Sequence, residues 1–225
     1  MSERPLFKPV IFLLKKLSKF QVIGAEKIPP QGGLMMTANH LSRLDVPFLM
    51  AITERTDLVA IVAKKYQKKA FFKWILEKIG EIVWVDRQNI DFQAIRQVLD
   101  YLRSGKVVGI APEGTRSRGS VGLLEGKEGS AVMASRASVP ILPVGIFGTE
   151  KINDCWKKLR RPSITVRIGA PYYLPEFDQS DRQNWLSQST DEIMCRIAVL
   201  LPPEYRGFYT DHPRLQQLLA EGGDL

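Results

Sequence analysis

Cysteine is scarce: Cys155 and Cys195 are the only two in 225 residues, and they show no metal-ligand spacing. That excludes a disulfide framework and a thiolate zinc site, and fits two reduced thiols in a cytoplasmic protein. Long apolar runs are missing as well. The longest near the start, Val10-Ile11-Phe12-Leu13-Leu14, is closed by Lys15-Lys16. It is too short to cross a bilayer and no small-residue cleavage site follows it, so neither a secreted nor a membrane-spanning protein is expected. There is no internal repeat, no G-x-G-x-x-G and no G-x-S-x-G. Gly122 to Gly126, ahead of Lys127, is one residue short of a P-loop, and Glu128 stands where a hydroxyl is required. Nucleotide hydrolysis and serine-esterase chemistry are therefore disfavoured.

What is present begins with charge. Lys and Arg number 32 against 24 Asp and Glu, which suits an anionic partner: a lipid surface, a nucleic acid or an acidic protein. At about 100° per residue, Leu6, Val10, Leu13, Leu14, Leu17 and Phe20 share one face of an N-terminal helix, with Lys8, Lys15 and Lys19 opposite. This is the pattern of a helix lying on anionic lipid. It is equally that of a helix packed on the protein's own core.

Further along, apolar runs at 34–38, 58–63, 82–85, 107–111, 141–147 and 164–168 read as strands. Helical spacing covers 68–79, 91–103, 129–137 and 180–200, with a short tail helix near Leu215. Such alternation predicts a single α/β domain, a largely parallel mixed sheet flanked by helices, with the N-terminal amphipathic helix added. Sites in such sheets gather at the carboxyl ends of strands, and the polar motifs fall there: Asn39-His40, Arg87, and Glu113 to Arg116.

His40 closes an apolar run ahead of Leu41-Ser42-Arg43-Leu44-Asp45. Positions five apart lie about 140° apart on a straight helix. The two side chains meet only if His40 sits in the strand-to-helix turn and Asp45 one turn inside the helix. A carboxylate on one imidazole nitrogen leaves the other free to take a proton. Alone, such a pair is more often structural than catalytic. The stretch 111–118, Ala-Pro-Glu-Gly-Thr-Arg-Ser-Arg, brings guanidinium forks that suit a phosphate, although alone it is a basic turn. Lys64 and Lys127 add point charges. Lys64 to Lys69, with Phe71, Phe72 and Trp74 nearby, could also belong to a basic lipid- or nucleic-acid-binding module. That reading leaves His40 and Asp45 without a role, and no nucleic-acid partner is expected.

Together these residues resemble the 1-acylglycerol-3-phosphate acyltransferase family. Asn39 to Asp45 is similar to its N-H-x-S-x-x-D block, Pro112 to Ser117 to P-E-G-T-R-S, Val139 to Val144 to V-P-I-x-P-V, and Gly80 to Arg87 to G-x-x-F-(I/V)-x-R. The last block is one residue longer than usual, and Ala111 stands where the family often has Phe.

The resemblance implies a glycerol-3-phosphate acyltransferase-like fold, with a membrane-associating segment at 1–30, an acyltransferase domain at 31–201 and a tail at 202–225. It implies transfer of a fatty acyl group from acyl-ACP or acyl-CoA to the sn-2 hydroxyl of lysophosphatidic acid, giving phosphatidic acid. The alternative acceptors are glycerol 3-phosphate or another lysophospholipid. His40 would be the general base and Asp45 its orienter. Arg116 and Arg87 would hold the phosphate, Glu113, Gly114 and Thr115 would shape the loop, and Pro140 would set a pocket wall. A backbone amide near a strand end would meet the oxyanion. Neither metal nor cofactor is implied. The expected location is peripheral, on the cytoplasmic face of an anionic membrane.

Overall fold

The computed structural model describes residues 7–68, 70–86, 91–117 and 122–222; of Phe7, Phe71, Phe72, Ile75 and Ile79 it describes the backbone alone. Lys69, Arg87 and Arg118, cations singled out in the sequence, lie outside the described residues. In chain order the elements are α1 (Phe7–Leu17), β1 (Lys19–Ile23), β2 (Leu34–Ala38), α2 (Asp45–Met50), β3 (Leu58–Ala63), α3 (Ala70–Ile79), β4 (Glu81–Val85), α4 (Phe92–Arg103), β5 (Val107–Ile110), α5 (Gly129–Ala137), β6 (Ile141–Phe147), α6 (Ile152–Lys157), β7 (Ser163–Ile168), α7 (Arg182–Val199) and α8 (Pro213–Ala220).

The strands form one seven-stranded sheet in the order β1-β7-β6-β2-β5-β3-β4. Every pair is parallel except β6 with β7. The α/β expectation with a largely parallel sheet is thus borne out. The central strands β2 and β6 are apolar almost throughout and buried along nearly their whole length, as strands covered on both faces must be. On one face Met36, Leu58 and Val107 pack with Phe48 of α2 and Leu14 of α1. On the other, Met35, Val59 and Val108 pack with Val98 and Leu102 of α4, Ala131 and Ala134 of α5, and Ile193 and Ile197 of α7. Asp91 starts α4 by accepting the Ala94 N–H at 3.1 Å, which satisfies one of the helix's free N-terminal donors.

Two features depart from the pattern read in the sequence. First, β1 and α6 are not among the expected elements. Second, the apolar face of α1 is divided: Leu14 is buried in the core, while Leu13, Leu17 and Phe12 are exposed beside Lys8, Lys15 and Lys16. Arg161 closes this helix by donating to the carbonyls of Lys15 and Ser18. The short tail helix expected near Leu215 is present as α8, and Tyr209 and Leu215 are fully buried.

The carboxyl end of the sheet opens between two strands. β3 and β5 pair only as far as Ala60 opposite Gly109, although β3 continues to Ala63 beside β4. The site lies at that opening.

Candidate active site

Asn39, the residue after β2, is buried and ties that strand to β6. Its amide donates to the Ile146 carbonyl and accepts the Ile146 N–H, both at 2.8 Å. This clamp fixes where the chain leaves the sheet, and His40 follows at once.

Asp45 is the first residue of α2 and is buried. Its Oδ2 accepts from His40 Nδ1 (2.8 Å), Leu41 N (2.7 Å) and Ser42 N (2.8 Å). Its Oδ1 accepts from Thr149 Oγ1 at 2.5 Å. The carboxylate therefore collects the two amides of the turn and the imidazole together, which is how residues five apart come to meet. With an ionised carboxylate as acceptor, Nδ1 carries the proton and Nε2 keeps its lone pair. No described group bonds Nε2, and 17 % of the His40 side chain reaches solvent.

Glu113, buried after β5, holds the other side of His40. Its Oε1 accepts the His40 N–H at 2.9 Å and its Oε2 the Leu124 N–H at 3.0 Å. Burial pushes its carboxyl up to about 7; the two N–H bonds oppose this, and the neighbouring Asp45 charge adds to it. Because the folded value lies above the unfolded one, the folded chain binds the extra proton between about 4.5 and 7. Stability from this group is full below the lower value and is lost as pH rises through the upper one. Glu113→Gln is expected to remove that slope. The unfolding free energy of wild type relative to the variant should fall between pH 4.5 and 7, which denaturant titrations at several pH values will measure. The variant should also lose activity, because an amide can accept only one of the two N–H groups.

Beyond Glu113 the chain turns at Gly114, whose φ is +67°, and the Lys127 side chain crosses above it. A Cβ at this position would sit 3.0 Å from Lys127 Cδ. Ser117 N donates to the His40 carbonyl at 3.0 Å, so Arg116 stands next to the His40 turn. Its guanidinium donates to Tyr66 Oη at 3.2 Å. Burial raises the Tyr66 phenol, but Arg116, Lys65 and Arg43 together outweigh this and hold it below its ordinary value. A group of cations therefore surrounds one phenol at the rim of the site.

His40, Asp45, Gly114 and Lys127 line a cavity of about 280 Å³. Its deeper walls are aliphatic and come from both faces of the sheet: Met36, Val46 and Leu49 on the α2 side, Val59, Val98 and Met133 on the α4–α5 side. The arrangement offers a proton acceptor at the mouth of an apolar chamber, with guanidinium groups outside.

A family model described as Acyltransferase matches residues 19–147. The chain belongs to the acyltransferase family. Among characterised relatives, the 1-acyl-sn-glycerol-3-phosphate acyltransferase of Borreliella burgdorferi is 31 % identical over 133 residues, covering 58 % of this chain and 52 % of that one. The enzyme of the same name from Bacillus subtilis is 28 % identical over 185 residues, covering 80 % and 87 %. The chain thus spans about half the length of the first relative and most of the second. Its fold is similar to the crystal structure of the 1-acyl-sn-glycerophosphate (LPA) acyltransferase, PlsC, from Thermotoga maritima: TM-score 0.57, 23 % identity, 85 % and 82 % of the two chains covered. The resemblance drawn from four sequence blocks is borne out at the level of family and fold.

The structure brings His40, Asp45, Glu113, Gly114, Arg116 and Lys127 together. Thr115 is exposed on the same loop but is not a cavity wall. Lys64 is turned to the start of α4, where its ammonium pairs with Asp91 at 2.7 Å and helps hold that carboxyl down to about 2. Pro140 lies at the amino end of β6, where its carbonyl accepts the Met35 N–H (3.0 Å) at the start of β2. That is the opposite edge of the sheet from His40, and Pro140 is not a wall of the cavity. Asp45 opens its helix rather than lying a turn inside it. The amides of His40, Leu41 and Ser42 are all engaged by Glu113 and Asp45, so none is free for an oxyanion. The sequence marks Asn39 at the strand end and within a family block but assigns it no role, and it assigns none to Tyr66 or Thr149, whose parts become visible only in three dimensions.

Proposed function

We propose that this chain is the enzyme that acylates the sn-2 hydroxyl of a 1-acylglycerol 3-phosphate, with an acyl thioester of coenzyme A or acyl carrier protein as donor. The single observation that carries this reading is His40 Nε2, unbonded among the described residues and backed by Asp45, at the mouth of an aliphatic cavity beside Arg116. In the reaction, Nε2 takes the proton of the hydroxyl as its oxygen attacks the thioester carbonyl. The tetrahedral oxyanion collapses, the C–S bond breaks, and the imidazolium returns the proton to the departing thiolate. The products are one ester and one thiol. Lys127, a cavity-lining cation with no carboxylate partner among the described residues, is the group we assign to the developing oxyanion charge.

The aliphatic chamber supplies binding of about 0.8 kcal/mol per buried methylene, which suits a fatty chain. The cations gathered on Tyr66 suit the acceptor phosphate, and Arg116 would grip it as a bidentate fork. The exposed Phe12, Leu13 and Leu17 with their flanking lysines suit peripheral attachment to anionic lipid at the cytoplasmic face. No described helix is long and apolar enough to cross a membrane.

Supplying both donors with several acceptors on anionic vesicles, and following free thiol, tests the reading. Thiol release with lysophosphatidic acid supports it, and thiol release with other acceptors only would reject it. Arg116→Ala is expected to raise the KM for lysophosphatidic acid about 10- to 100-fold, the loss of a charged hydrogen-bonding group, while kcat changes far less. The same variant assayed with a phosphate-free monoacylglycerol should show no such difference.

A further inference from the structure

The two oxygens of Asp45 are not equivalent. Oδ2 receives three donors, His40 Nδ1, Leu41 N and Ser42 N. Oδ1 receives one, the hydroxyl of Thr149. We propose that Thr149 is a positioning residue for acyl transfer: its hydroxyl fixes the plane of the Asp45 carboxylate, so that Oδ2 stays aimed at the imidazole.

Thr149 is buried, and a threonine hydroxyl has a single proton to give. Here it goes to a carboxylate, the strongest acceptor available. Without it, Oδ1 would be a buried oxygen with no described donor. The carboxylate could then turn about its Cβ–Cγ bond, dividing the three donors of Oδ2 between two oxygens.

The approach of Thr149 is itself built. β6 ends at Phe147, and Gly148 turns the chain with φ +92°, where a Cβ would run into the Ser163 carbonyl. Glu150 then locks the turn: its Oε2 accepts the Gly148 N–H at 3.0 Å, and its Oε1 accepts from the Tyr205 hydroxyl at 2.7 Å. Tyr205 belongs to the segment after α7, whose neighbour Tyr209 accepts the Gly126 N–H at 3.0 Å. One C-terminal stretch thus steadies both the Thr149 turn and the loop that carries Lys127.

This inference rests on the proposed role of His40 and Asp45, and the test separates the two. Thr149→Val keeps the shape and removes the donor; Thr149→Ser keeps the donor and removes a methyl. In steady-state assays with a thioester donor and lysophosphatidic acid, Thr149→Val should lower kcat about 10- to 100-fold with both KM values little changed, and Thr149→Ser should stay within about threefold of wild type. Should valine not be tolerated in the buried turn, Thr149→Ala against Thr149→Ser makes the same comparison. Wild-type kcat in Thr149→Val, or equal losses in Thr149→Ser and the hydroxyl-free variant, would overturn the inference. His40→Ala is assayed alongside. If it is inactive while Thr149→Val is unimpaired, only the role of Thr149 fails. If His40→Ala is active, the catalytic reading fails first.

Discussion

Replacing His40 by alanine is expected to lower acyl transfer about 10²–10⁴-fold, the contribution of a positioned imidazole base, while leaving the fold in place. The structural side of this expectation follows from the bonds. Among the described residues the imidazole makes one hydrogen bond, to Asp45, and that carboxylate keeps its other three donors when the ring is removed. The Asn39 clamp and the Glu113 contact act through groups the substitution does not touch. Thermal unfolding should therefore change little while turnover collapses. Steady-state thiol release with lysophosphatidic acid measures the rate, and a variant that turns over near the wild-type rate would remove His40 from the chemistry.

Asp45→Asn should act on both rate and stability. An amide presents one oxygen and one NH2 group where the native carboxylate presents two acceptors. With its NH2 on the His40 side the amide meets three donors; with its NH2 towards Thr149 the hydroxyl can turn and accept from it, but the carboxylate charge that strengthens all four bonds is gone. That weakening should cost about 1–3 kcal/mol of unfolding free energy. Turnover should fall about 10²–10⁴-fold, because the imidazole loses the charge that fixes its tautomer and balances the imidazolium. The KM values should move less than kcat, since the Asp45 side chain is buried and both its oxygens are taken up by donors of the protein itself. Full activity in this variant would show that the 2.8 Å contact is structural only. Chemical denaturation of the same preparation reads the stability loss independently.

Much of the sheet was legible in the sequence because its inner strands are buried on both faces. Leu34 to Ala38, Leu58 to Ala63 and Ile141 to Phe147 carry runs that are apolar almost throughout, and their bounds in the structure match that reading. β1 was not legible. Its residues, Lys-Phe-Gln-Val-Ile, alternate between exposed and half-buried at the sheet's edge, directly after an amphipathic helix whose pattern Phe20 continues. Only pairing with β7 makes it a strand, and that partner lies far along the chain.

The site divides in the same way. His40 and Asp45 are neighbours in sequence, and one turn brings them together. Thr149 lies 104 residues from Asp45 and carries no local mark beyond the glycine before it. Glu113 was read as part of a basic loop, whereas its oxygens face inward and hold the backbone of His40 and Leu124. Pro140 sits in a recognised block, yet a strand's length separates it from His40, because the block spans a strand and only one end of a strand can border the site. Lys64 does follow a strand at the right edge of the sheet, but the nearby acidic cap of α4 takes its charge.

Nitrogen-15 NMR of the imidazoles offers the most direct check, because the chain has only two histidines, and His212→Gln leaves His40 alone in the spectrum. In the neutral ring, the shifts should report a protonated Nδ1, held by Asp45, and an unprotonated Nε2 able to receive the hydroxyl proton. A neutral ring with its proton on Nε2 would contradict the account, since the nitrogen facing the cavity could then accept nothing.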